Sequence, residues 1–95
     1  MQPSDYDQAI AQLTGAAELI ASGAPQAQRA QAFDMLAFFR LLRARFGQSS
    51  EAVVPRISDD ELFRDTAMAA LTMAGRHEFL AAAALLEQAR GLVRS

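Results

Sequence analysis

Apolar residues recur along this chain at three- and four-residue spacing in four blocks, each closed by a cluster of Gly, Pro, Ser or charged residues. That period is the mark of helices that bury one face. In the first block Tyr6, Ala9, Ile10, Leu13, Ala16, Ala17, Ile20 and Ala21 form one narrow stripe, with Gln8, Gln12 and Glu18 off it. Ser4 is the expected N-cap, with Asp5 and Asp7 in the first turn where carboxylates complement the helix dipole. Gly15 interrupts the pattern and marks a candidate close crossing of helices. Ser22-Gly23, with Pro25 two positions on, ends the helix.

The second block is the most apolar. It starts at Pro25, whose missing N–H is not needed in a first turn, and ends at Phe46-Gly47. Residues 31–46 hold four of the six Phe residues. At about 100° per residue Met35, Phe38, Phe39, Leu42 and Phe46 share one face, whereas Phe33, Leu36 and Leu41 lie outside it. A helix that is apolar on more than one side is either central in its fold or shared with another chain. Phe33, Leu36 and Leu41 are therefore the candidate partner-binding residues. Arg40 and Arg43 join them, because Arg29 to Arg45 contains four Arg against the single acid Asp34. The crowded cations at this end have two readings: they offset the helix dipole and snorkel over apolar neighbours, or they form a patch for an acidic partner.

Residues 47–57 break the helical pattern, and Pro55 holds Val54 extended. The segment is long for a bundle connection. Its valines either cover the end of the core or contact a partner. Next, Ser58-Asp59-Asp60-Glu61 has the form of a capping box, flanked by Ile57 and Leu62 as a hydrophobic staple. Leu62, Phe63, Thr66, Ala70, Met73 and Ala74 give the apolar face of the third helix, leaving Met68 and Leu71 as further candidate contact residues. Gly75-Arg76-His77 ends that helix. In the fourth, Phe79, Ala82, Ala83, Leu85, Leu86, Ala89 and Val93 point inward. The predicted architecture is a single all-α domain with helices at about 5–22, 25–46, 59–74 and 78–93. These form a four-helix antiparallel bundle or two stacked helical hairpins.

Residues 66–89 resemble one tetratricopeptide-type helical hairpin. Ala70 falls at the small position of the family's first helix and Met73 at the aromatic position one turn later, while Phe79, Ala82, Leu86 and Ala89 follow the second-helix spacing. His77 stands where the family has its turn glycine, the closing Pro is absent, and no second copy appears, although repeat architectures need about three units. The resemblance implies a helical scaffold that binds a peptide or protein, of the kind seen in small adaptors and secretion-type chaperones.

Composition narrows the chemistry. Of 95 residues, 52% are apolar, which excludes a disordered chain, and 21 are Ala, which favours helix and close helix approach. Without cysteine there are no disulfides, thiol nucleophiles or Cys-based zinc sites. Net charge is −2, so no general attraction to nucleic acid or anionic membrane is expected. The opening MQPSDYDQ lacks the form of a signal peptide, and no apolar run approaches the roughly 20 residues a membrane span requires. A cytoplasmic protein is expected.

His77 is the only His, with no nucleophile arrangement beside it. The acidic group Asp59, Asp60, Glu61 and Asp65 lacks the ligand spacing of a calcium loop and suits a helix N-terminus. There is no phosphate loop, nucleophile elbow or dinucleotide fingerprint. A non-catalytic protein is thus expected, with no cofactor, metal or small-molecule substrate evident. Its partner is another protein or a second copy of itself. The lesser alternative is a small enzyme or accessory subunit whose site is assembled across an interface from groups such as Glu18, Asp34 and Arg40.

Overall fold

The computed structural model describes residues 1–48 and 54–94. Four helices pack against one another: α1 (Pro3–Gly23), α2 (Gln26–Gln48), α3 (Asp60–Gly75) and α4 (Phe79–Leu92). Two short strands, β1 (Arg56–Ile57) and β2 (Val93–Arg94), pair antiparallel, with Arg56 opposite Arg94 and Ile57 opposite Val93. The all-α class is as the periodicity predicts. Two residues cannot announce a strand by alternation, so the pairing was not visible in the sequence.

The arrangement is that of stacked hairpins. α1 packs on α2, and α3 packs on α4. The hairpins meet chiefly through α1 and α3, which run in the same direction. The N-terminal amine lies 2.8 Å from Asp60, Asp5 lies 3.5 Å from Arg64, and Leu71 of α3 reaches Gly15. α2 touches α4 at the far side, where Gln31 Nε2 donates to Glu87 Oε1 at 3.0 Å.

The central helix is α1, not α2. It contacts all three others, and Tyr6, Ala9, Ile10, Leu13, Ala16, Ala17 and Ile20 are buried. Its alanines let neighbours approach from several sides, which a short apolar stripe of small residues does not advertise. Thr14, also buried, satisfies its hydroxyl by donating to the Ile10 carbonyl at 2.7 Å. At one end of the core the Tyr6 ring packs against Phe46 of α2 and Phe63 of α3, at centroid distances of 5.2 and 6.5 Å.

Helix ends differ from the sequence reading in informative ways. Ser4 lies within α1, which starts at Pro3 with Gln2 as cap residue. Pro25 immediately precedes α2, and its carbonyl accepts from the Arg29 amide at 3.0 Å. α2 continues through Gly47. The capping box at Ser58 does not form. The Ser58 amide instead donates to the Leu92 carbonyl at 2.8 Å, extending the β1–β2 pairing. The cap passes to Asp59, whose Oδ1 accepts from the Leu62 amide at 3.0 Å. Leu62, expected on the apolar face, is exposed, while Phe63 is buried in the core.

The α3–α4 turn is closed by His77, not by Gly75. His77 takes φ 61°, the left-handed conformation usual for glycine. The His77 amide donates to Ala74 O at 3.1 Å and the Glu78 amide to Met73 O at 2.9 Å, the pair of bonds that defines a Schellman motif. Of the predicted linker, Val54 packs against the core, as the core-covering reading expects, and the expectation for Val53 falls outside the described residues.

Candidate interaction surface

α2 has a filled inner face and an empty outer one. Ala32, Met35, Leu36, Phe39 and Leu42 are buried against the rest of the chain. On the opposite side Phe33 is 59% and Leu41 50% exposed. Ala30, Ala37 and Ala44 are exposed as well. At about 100° per residue these five residues lie within one stripe on the outer side of the helix. No described residue covers it.

The predicted contact residues therefore separate into groups. Phe33 and Leu41 share the outer stripe. Leu36 does not belong with them: it is only 7% exposed and completes the inner face. Apolar residues on α2 span a wide arc, and α4 as well as α1 packs against this helix, so the covered arc is broader than one neighbour's footprint. Leu71 is likewise not free. It is half-buried, with Cδ1 in the α1–α3 contact over Gly15.

Met68 is exposed, but on another surface. It lines a shallow cleft of about 200 Å³ between α1 and α3, with Asp5, Gln8, Gln12, Arg64 and Asp65. Arg64 and Asp5 pair across this cleft at 3.5 Å.

Arg40 and Arg43 meet carboxylates of α1, at 3.5 Å from Glu18 and 3.7 Å from Asp7. All four groups are about half exposed or more. Such pairs contribute little to stability, but they neutralise the cations that a patch for an acidic partner would need. The sequence could not show this, since the matching acids sit more than twenty residues away on another helix.

Two exposed apolar residues escaped the sequence reading: Leu19 of α1, 40% exposed, and Leu80, 73% exposed in the first turn of α4. The helical spacing held the signal, because Leu80 sits off the face defined by Ala82, Ala83, Leu86 and Ala89.

Nothing in the described residues gathers three or more His, Cys, Asp or Glu side chains as a metal site would. No described helix is long and apolar enough to cross a membrane. Against known protein families, curated proteins and solved structures, the chain finds no match.

Proposed function

We propose that this protein is a non-catalytic interaction module, an adaptor or small chaperone-like protein, that receives an apolar helix on the outer face of α2. One observation carries the reading: Phe33 and Leu41 lie half or more exposed in a continuous apolar stripe, although the same helix already has a complete buried face. Two half-exposed large side chains framed by alanines lose apolar area from water when a second helix covers them, at about 25 cal/mol per Å². The alanines let that helix come close.

The test substitutes both large residues, Phe33→Glu with Leu41→Glu, and compares this variant with the wild type. Circular dichroism should show an unchanged helical fold. Light scattering and affinity capture should show that whatever associates with the wild type, itself or another protein, is lost. A wild type that stays at 10.3 kDa and retains nothing that the double variant fails to retain overturns the proposal.

A further inference from the structure

The outer stripe of α2 is symmetric about its own centre. The helix runs Gln26–Gln48, so Ala37 is its midpoint. Phe33 and Leu41 stand four residues to either side of Ala37, and Ala30 and Ala44 seven residues to either side. Resting on the interaction reading above, we infer that the occupant of this face is a second copy of the same chain. The two α2 helices lie antiparallel about a two-fold axis at Ala37. Phe33 of each copy then packs on Leu41 of the other, Ala30 meets Ala44, and Ala37 meets its counterpart.

Self-complementarity is what an isologous interface requires, and here one patch supplies both halves. Small residues at the centre and ends allow the axes to approach to about 8 Å. The large residues fill the space between. Charge selects the antiparallel sense. Arg40, Arg43 and Arg45 crowd the C-terminal half of α2, while the N-terminal half holds Arg29 and the helix's only acid, Asp34, which balance. Parallel pairing would set each cationic end on its copy. Antiparallel pairing sets it beside the neutral half, with Arg40 of each copy level with Asp34 of the other. The stripe runs from Ala30 to Ala44, about 21 Å of helix, shorter than a standard interface, so the dimer should be weak, with a Kd on the order of micromolar or above.

The chain contains no cysteine, so introduced thiols report the register directly. Three variants, Ala37→Cys, Ala30→Cys, and Ala30→Cys with Ala44→Cys, are oxidised under identical conditions after circular dichroism has shown each to be folded. The Ala37→Cys thiols face each other across the axis, and a covalent dimer of twice 10.3 kDa is expected. Ala30→Cys alone places its thiols about 21 Å apart, beyond the roughly 4.4–6.8 Å between α-carbons that a disulfide spans, and should remain monomeric. Adding Ala44→Cys should restore cross-linking. Equal cross-linking of all three variants overturns the antiparallel register. Failure of Ala37→Cys to cross-link, together with a partner captured by the wild type and lost on Phe33→Glu with Leu41→Glu, overturns self-pairing and leaves the interaction reading standing. Failure with no captured partner overturns both.

Discussion

Leu71 Cδ1 of α3 lies 3.6 Å from the point where a β-carbon on Gly15 of α1 would stand. That is ordinary van der Waals contact, so the site has room for a methyl group. Glycine inside a helix costs about 0.5–1 kcal/mol relative to alanine, and nothing in this crossing repays the loss. Gly15→Ala should therefore raise unfolding stability by roughly 0.5–1 kcal/mol, read as a higher urea midpoint with an unchanged slope. Loss of stability would mean that the helices cannot accept the methyl.

At the α3–α4 turn, a non-glycine residue occupies a left-handed position. The His77 ring stacks on Phe79, with centroids 5.4 Å apart. His77→Ala loses the stacking and keeps the backbone strain, whereas His77→Gly loses the stacking and relieves it. The glycine variant should exceed the alanine variant in stability by about 1 kcal/mol, reversing their usual order in helices. Thermal unfolding of the two variants side by side checks this.

Tyr6 is fully buried, and its hydroxyl has no hydrogen-bond partner among the described residues. Desolvation raises its pKa from 10.0 to about 12. The sign follows from which state ionises first. Below pH 10 the phenol is protonated in both folded and unfolded chains, and its contribution is complete. Between pH 10 and 12 the unfolded chain loses the proton first, so stability falls as pH rises. No Lys or Cys and no second Tyr titrates in that window. Tyr6→Phe should abolish the decline between these pH values. At neutral pH it should leave stability unchanged or raise it by up to about 1 kcal/mol, since it removes an unpaired buried hydroxyl. With no Trp present, tyrosinate absorbance follows Tyr6 alone.

Leu36 and Leu41 have the same side chain on the same helix, yet they should respond differently to truncation. Leu36→Ala opens a hole in the core and should cost roughly 2–4 kcal/mol. Leu41→Ala removes a half-exposed side chain and should change the stability of the isolated chain by no more than about 0.5–1 kcal/mol. Denaturant titration at low protein concentration, where association is suppressed, separates the two.

How far the sequence could be read depended on the scale of each signal. The inner face of α1 was legible residue by residue, because Tyr6, Ile10, Leu13 and Ile20 repeat at the helical period and all are buried. For the second helix, the surplus of apolar residues was legible and its division was not. Phe33, Leu36 and Leu41 all fall off the principal stripe, and only the packing of the other helices around α2 decides that Leu36 is covered. Arg40 and Arg43 were visible as a cationic cluster, but Asp7 and Glu18 come to them through the antiparallel packing of α1 and α2. The capping signature at Ser58 was sound as a local pattern. It lost to a nonlocal one, the pairing of the Ser58 amide with Leu92.

By itself the sequence determined that the chain forms four helices, approximately where each one begins and ends, and which side of each is apolar. These follow from local backbone preferences and from a period that neighbouring residues set among themselves. The tertiary structure alone decided that α1 occupies the centre, that α1 and α3 run in the same direction, and that Phe33 and Leu41 stay open while Leu36 and Leu71 are covered. A side chain's exposure depends on which distant element lies over it, and that is fixed by the packing of all four helices together.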